Sequence, residues 1–294
     1  MQTKHMTALV SCFARAYHAK QNCVKIFDDS LAERMLAKEE YESIGDNMAN
    51  GIAFFHPGFQ GTKKEALRYI VDRQLSPAVL GRGAFAERSL ANAKRRGASQ
   101  YLILASGYDT SAYRNTDVKV FEIDRKEMIE DKKRRLKRAG MDATGVRFIC
   151  ADFTEEKWIA ALLEESDYQT DQVCFCSLLG LSYYLTKDDF AGMLKSLSDV
   201  MQSGSELVFD YPTAEKTTYG TINRELAKAA DEEMKSQYAL QDIERLLGAC
   251  NMRVCENLDD RDMEEQYFAA YNLANPAHPI KAPHGVSYCR ATKE

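Results

Sequence analysis

No proline occurs between Pro77 and Pro212, and inside that stretch the hydrophobic pattern switches repeatedly between two periods. Short apolar runs at Tyr101 to Ala105, Val118 to Ile123, Val146 to Cys150, Gln172 to Leu178 and Glu206 to Phe209 alternate with helix-patterned stretches. Those stretches are Arg125 to Arg138, Glu155 to Leu163 and Lys187 to Gln202. An apolar run with no alternation reads as a strand covered on both faces, and strands separated by helices of this length pair in parallel through crossovers. The chain is therefore expected to be α/β, with a doubly wound, mostly parallel sheet. After Pro212, two helical segments (Ile222 to Met234 and Leu240 to Cys250) precede strands at Arg253 to Glu256 and Val286 to Arg290.

Residues 5 to 98 read as helices: Thr7 to Gln21, Asp29 to Asn47, Lys63 to Arg73 and Ala78 to Arg96. Asp28, Asp29 and Ser30 offer N-cap chemistry to the second, and Thr62 to the third. Phe54 to Phe59 is an aromatic-rich turn, expected to be a loop pinned to the core. This organisation predicts a helical cap at 1–98 and a sheet domain at 99–294 that carries a helical lid insertion at 213–250, in one integrated unit.

At 294 residues, with 45% hydrophobic and 28% charged, the chain can bury a large core. Its net charge of −5 gives no reason to expect a polyanionic partner, so nucleic acid is not among the expected ligands. The basic run Lys132 to Arg135, continued by Lys137 and Arg138, follows Glu127, Glu130 and Asp131 in one helical stretch and reads as a solvated helix face. No apolar stretch has the length of a membrane span, and the early run Ala8 to Ala14 stops at Arg15. The eight cysteines, including Cys23, are scattered and form no zinc-site pairs, which suggests reduced thiols, a cytoplasmic location and no metal. Cys174 and Cys176 share a strand face and are expected to pack as small hydrophobes.

In a doubly wound sheet, ligands bind beyond the carboxyl ends of the strands at the switch point. The first run ends in Ala105-Ser106-Gly107-Tyr108-Asp109-Thr110, where Gly107 permits close approach of a ligand to the backbone. Asp124 ends the second run, 17 residues after Gly107, and a carboxylate there matches the two hydroxyls of a ribose. Asp152 and Phe153 follow the third run, where an acid can accept an exocyclic amine and an aromatic ring can cover a base. Together the three sites outline an adenosine.

The loop also resembles the signature of a known family. Gly107, Asp109-Thr110 and Ala112-Tyr113-Arg114 look like the Gly-Asp-Thr-Ala-Tyr-Arg pattern of the leucine carboxyl methyltransferase family, which belongs to the class I S-adenosylmethionine-dependent methyltransferases. Phe27 to Glu33, Glu122-Ile123-Asp124, Gly180 to Thr186 and Gly204-Ser205 through Tyr211 extend the likeness over roughly residues 7 to 212. The resemblance implies a Rossmann-like seven-stranded sheet, S-adenosylmethionine as cofactor, and methyl transfer to a carboxylate or hydroxyl of a small molecule. It implies that Arg82 meets the cofactor's carboxylate, that Ala105, Ser106, Gly107, Asp109, Glu122, Asp124, Asp152, Phe153, Leu178 and Leu179 line the cofactor site, and that Tyr183, Tyr184 and Tyr211 begin the acceptor pocket.

Two positions depart from the family pattern. Ala105 replaces the first glycine of Gly-x-Gly, a change that is tolerated where the backbone torsion is ordinary. Leu179 replaces a frequent glutamate and removes a polar partner for the cofactor's amino group or the acceptor. Displacement at a sulfonium needs alignment and exclusion of water, and a base only where the acceptor is a hydroxyl. Candidates for a base are Tyr211, His284 and His278. Two other readings stay open: a cofactor-binding protein without transfer activity, and a nicotinamide-dependent reductase, which would lack its usual G-x-G-x-x-G. The oligomeric state is not read from the sequence.

Overall fold

The computed structural model describes residues 5–21, 24–155, 158–215, 217–229 and 232–294. The chain opens with α1 (Met6–Gln21), α2 (Ala32–Met35), α3 (Lys38–Asn50), α4 (Ile52–Phe55), α5 (Lys63–Ile70) and α6 (Ser76–Arg95). The helix expected from Asp29 to Asn47 is two helices, α2 and α3, because Leu36 and Ala37 are extended. The break is held from both sides: Glu40 accepts the Ala37 N–H at 2.9 Å, and Arg135 and Arg138 donate to the Met35 carbonyl at the end of α2. Asp29 is not a cap. It is buried, accepting from Arg15 Nε at 2.8 Å and from the Thr110 hydroxyl.

Thr62 does cap α5, accepting the Glu65 N–H at 3.3 Å while the Glu65 carboxylate takes the Thr62 N–H at 2.7 Å. The two helices expected on either side of Pro77 run together, since a π-helical turn at Val71–Leu75 joins α5 to α6. Within it the Ser76 N–H bonds to the Val71 carbonyl, five residues back, so the missing N–H of Pro77 falls in the first turn of α6, where it costs little. The aromatic turn is pinned at the surface rather than to the core. His56 and Phe59 pack on Tyr69 of α5, and Phe54 is exposed.

The strands are β1 (Gln100–Leu104), β2 (Lys119–Asp124), β3 (Val146–Cys150), β4 (Cys174–Leu178), β5 (Glu206–Pro212), β6 (Met252–Leu258) and β7 (Val286–Lys293). They form one seven-stranded sheet in the order β3-β2-β1-β4-β5-β7-β6, parallel except for β7, which runs antiparallel to both of its neighbours. Leu104 pairs with Ile123 and with Leu178, and Leu178 with Phe209, so the carboxyl ends of β2, β1, β4 and β5 share one edge. β1 lies between β2 and β4, the switch point of a doubly wound sheet.

The later helices are α7 (Lys126–Ala139), α8 (Trp158–Leu163), α9 (Lys187–Val200), α10 (Thr218–Ala229), α11 (Leu240–Gly248), α12 (Asp260–Met263) and α13 (Ala269–Ala274). Strand alternation divides the core. Leu102, Phe121, Cys176 and Phe209 face one layer with Trp158, Leu194 and Leu247. Tyr101, Phe175 and Val208 face the other, with Phe85 and Leu90 of α6 and Phe268 and Tyr271 near α13. The helical segment from α12 to α13, which Asp259 starts by accepting the Asp262 N–H at 2.9 Å, was not expected from the sequence.

The basic run on α7 is only half solvated. Lys132 is buried with its Nζ 2.7 Å from Glu122, and Arg135 holds Glu40 at 2.7 and 2.8 Å and Asp131 at 2.6 Å, whereas Lys133, Arg134 and Lys137 are exposed. The helix expected from Ile222 to Met234 begins earlier, at Thr218; residues 230 and 231 lie outside the described residues, and 232–237 are not helical. Cys174 and Cys176 are buried together with their Sγ atoms 3.9 Å apart, while Cys23 and positions 156–157 of the helix expected from Glu155 to Leu163 lie outside the described residues. Among the described residues no helix is long and apolar enough to cross a membrane.

Candidate active site

A cleft of about 790 Å³ opens along the carboxyl edge of the sheet, walled by the β1, β2 and β4 ends, by α6 and by α1. Its floor is the turn after β1. There Ala105 has φ +53° and Gly107 φ +46°, both left-handed. The torsion at Ala105 is thus not ordinary: a Cβ there costs roughly 1–2 kcal/mol, strain stored in a loop that lines the cleft. The buried Ser106 hydroxyl, next to it, has no hydrogen-bond partner among the described residues.

Asp124 reaches the same turn from β2. Its Oδ2 accepts the Gly107 N–H at 2.8 Å and its Oδ1 the Arg125 N–H at 2.8 Å. A carboxylate has about four acceptor positions, so both oxygens keep one for a ligand. Burial raises the Asp124 pKa, against the lowering influence of those two amides. Asp152 and Phe153 line the cleft beyond β3. Asp152 Oδ1 accepts the Thr154 N–H and hydroxyl at 3.0 and 2.8 Å, and Phe153 packs edge-on against Trp158 at 5.0 Å. Asp109 accepts the Ser111 N–H at 2.6 Å; burial pushes its carboxyl up, but Arg15, Lys132 and the Ser111 bonds together hold it below the usual value.

Arg82 enters from α6, its Nη2 3.3 Å from the Ser11 hydroxyl and its Nη1 3.6 Å from the buried carboxylate of Asp210. The opposite wall is Leu179, Leu181, Tyr184 and Leu185, with Glu232 and Lys235 beyond them. The Tyr184 hydroxyl is pushed up to about 12, by burial first and then by Glu232. Arg82, Ala105, Ser106, Gly107, Asp109, Asp124, Asp152, Phe153, Leu179 and Tyr184 therefore surround one cavity.

The structure places the remaining candidates elsewhere. Glu122 is buried beneath the cleft, accepting from Tyr113 at 3.1 Å and paired with Lys132, and burial raises its pKa to about 7. Leu178 is buried in the opposite core layer. Tyr183 does not line the cleft: its hydroxyl donates to Asp210 at 2.9 Å, and its ring borders a second cavity of about 160 Å³ shared with Tyr219 and Met234. Tyr211 follows Asp210 by one residue and so points to the other face of the sheet, where its hydroxyl donates to Asn257 at 2.9 Å. His284 is exposed, 2.9 Å from Asp260, and His278 is exposed in the same late loop; neither lines the cleft.

Several cleft residues were not singled out in the sequence. Ala8, Ser11 and Arg15 recur at helical spacing along one side of α1, a signal that is present but indistinguishable from ordinary amphipathic packing. Arg15 donates to the Tyr108 carbonyl at 2.6 Å, which holds α1 against the loop after β1. Asp210 carries the same signal as Asp124, an acid at the end of an apolar run.

The family model described as leucine carboxyl methyltransferase matches residues 8–198. YktD of Bacillus subtilis, provisionally named an S-adenosyl-L-methionine-dependent methyltransferase, is 34% identical over 306 residues, covering 98% of this chain and 98% of that one. A Mycobacterium marinum protein with the same provisional name is 31% identical over 141 residues, 47% of this chain and 46% of its own. Among solved structures, a DUF574 family protein from Streptomyces avermitilis superposes with a TM-score of 0.60 at 14% identity, covering 97% of each chain. A Thermobifida fusca protein provisionally named a methyltransferase does so with a TM-score of 0.55 at 15% identity, covering 96% of this chain and 94% of that one. At such identities the likeness bears on the fold.

Proposed function

The chain belongs to the leucine carboxyl methyltransferase family, whose cofactor is S-adenosylmethionine, and on that premise we propose that it methylates an oxygen of a small molecule, a carboxylate or a hydroxyl. The cofactor supplies a methyl group on a sulfonium, and the transfer neutralises that cation. The residues present suit it. Arg82 offers a guanidinium for its carboxylate, Asp124 two free acceptor positions for the ribose diol, Asp152 an acceptor for the adenine amine, and Phe153 a ring to cover the base.

The observation that carries the oxygen assignment is the wall beside Leu179. Among the described residues that wall carries Leu181, Tyr184 and Leu185, the one histidine lining the cleft, His5, comes from the segment before α1, and Tyr184, with its pKa pushed up to about 12, stays protonated at neutral pH. Such a wall suits an acceptor that is already ionised, because a carboxylate needs alignment and exclusion of water rather than a base. A cavity of about 790 Å³ is of small-ligand size, inside the range of roughly 300–1,000 Å³.

Isothermal titration with S-adenosylhomocysteine and with NAD tests the cofactor half: saturable binding of the first alone is expected, and binding of NAD alone overturns the reading. A labelled-methyl transfer screen against a metabolite extract tests the rest. Label in a base-labile ester is expected; label on nitrogen or carbon, or no turnover with carboxylate and hydroxyl acceptors, contradicts oxygen transfer, and the latter favours a protein that only binds the cofactor.

A further inference from the structure

Asp210 is fully buried at the end of β5, on the face of the sheet that carries α6. Its Oδ1 accepts the Gly180 N–H at 2.7 Å, its Oδ2 accepts the Tyr183 hydroxyl at 2.9 Å, and its main-chain carbonyl accepts the Ser182 hydroxyl at 2.7 Å. One residue thus stitches the turn after β4 to β5 at three points. The same Oδ2 lies 3.6 Å from Arg82 Nη1, close enough for ionic attraction and too far for a hydrogen bond. The guanidinium is therefore drawn to a fixed place without spending its donors on Asp210. The turn is shaped around it: Gly180 has φ +72°, and a Cβ at that position would come within 2.3 Å of Arg82 Nη1.

We infer that Asp210 is the positioning residue for the amino-acid end of the cofactor, holding the Arg82 guanidinium in the cleft and locking it to the turn that leads to Tyr184. The inference rests on the reading of Arg82 as the partner of the cofactor's carboxylate. Its chemical signature is selectivity. A ligand with a carboxylate should feel the loss of Asp210, and one that has only the nucleoside thioether should not.

The test compares S-adenosylhomocysteine with 5′-methylthioadenosine, which lacks the amino-acid end, by isothermal titration on the full chain. Asp210→Asn should weaken the first by about tenfold or more and the second by less than about twofold, the range expected for a misplaced charged hydrogen-bond donor. Equal weakening of both, or of neither, overturns the inference. Arg82→Gln separates its failure from that of the underlying reading. If Arg82→Gln is not selective for the carboxylate-bearing ligand, the assignment of Arg82 falls. If it is selective and Asp210→Asn is not, only the role of Asp210 falls. Should Asp210→Asn alone not fold, Arg82→Gln is compared with the double variant Arg82→Gln/Asp210→Asn. Equal affinity for S-adenosylhomocysteine supports action through Arg82, and a further loss refutes it.

Discussion

The Asp124 carboxylate accepts the Gly107 amide at 2.8 Å, so the acid at the end of β2 and the glycine of the turn after β1 form one unit. Asp124→Ala removes an acceptor for the ligand and the brace of the loop together. Its affinity for S-adenosylhomocysteine should fall by about tenfold to a hundredfold, the loss of one or two bonds to a charged acceptor; titration that finds no change removes Asp124 from the site.

Acidification should act on Asp124 with opposite signs on folding and binding. Burial raises its folded-state pKa above 3.8, so its protonated form is favoured in the fold. The contribution to stability is present below 3.8 and is lost as the pH rises through the raised folded value. Ligand affinity moves the other way, falling with pH in that window as the carboxylate loses its charge. Titrations of S-adenosylhomocysteine across this range, compared between wild type and Asp124→Asn, isolate the effect: the wild type alone should show the loss.

Ala105→Gly should stabilise the fold slightly. Relief of a left-handed Cβ recovers about 1–2 kcal/mol, and glycine's greater unfolded-state freedom takes back about 0.5–1 kcal/mol. A small rise in the midpoint of urea unfolding is expected. A fall would show that the methyl group makes packing contacts that outweigh its torsion.

The buried pair Glu122 and Lys132 should reveal itself through unequal single and double variants. Lys132→Met leaves Glu122 buried without its partner and should cost about 3–5 kcal/mol, less at low pH where Glu122 takes up a proton. Glu122→Gln/Lys132→Met removes both charges, keeps an acceptor for Tyr113, and should lie within about 1 kcal/mol of the wild type or above it. Denaturant unfolding of the variants decides the matter; a double variant as unstable as the single would show that the pair is more than compensated charge.

Tyr211→Phe and His284→Ala should both leave label transfer into the extract within about twofold of wild type, since neither side chain reaches the cleft. A loss of several hundredfold in either would return that residue to the chemistry.

The sheet was legible because five apolar runs punctuated by acids and glycines admit few arrangements other than parallel strands. Asp124, Gly107 and Asp152 were legible for the same reason, since strand ends in this topology converge on one edge. The side chains that run across the sheet were harder to read. Tyr211 and Asp210 are adjacent in the chain and belong to opposite faces, and only the register of β5 against β4 and β7 says which of them meets Arg82. Glu122 entered the cofactor site only through the family resemblance of Glu122-Ile123-Asp124, and in the structure it is buried and paired with Lys132 from α7. Arg135 and Lys132 looked solvated because nothing in a run of bases tells which of them finds a buried acid. Neither the segment from α12 to α13 nor the left-handed torsion at Ala105 was legible, the latter because a torsion angle is a property of the loop as a whole.

Arg15 joins α1 to the Tyr108 carbonyl, and α1 gives Ala8, Ser11 and Arg15 to the cleft wall. A ligand that touches α1 as well as the loop after β1 is linked to that helix in both directions: its binding resists lifting of α1, and lifting of α1 weakens its hold. At about 100 times its Kd, a bound nucleoside adds about 2.7 kcal/mol to any opening of α1 that abolishes its binding, so amide exchange along α1 would gauge occupancy of a cleft lined largely by residues about a hundred positions downstream.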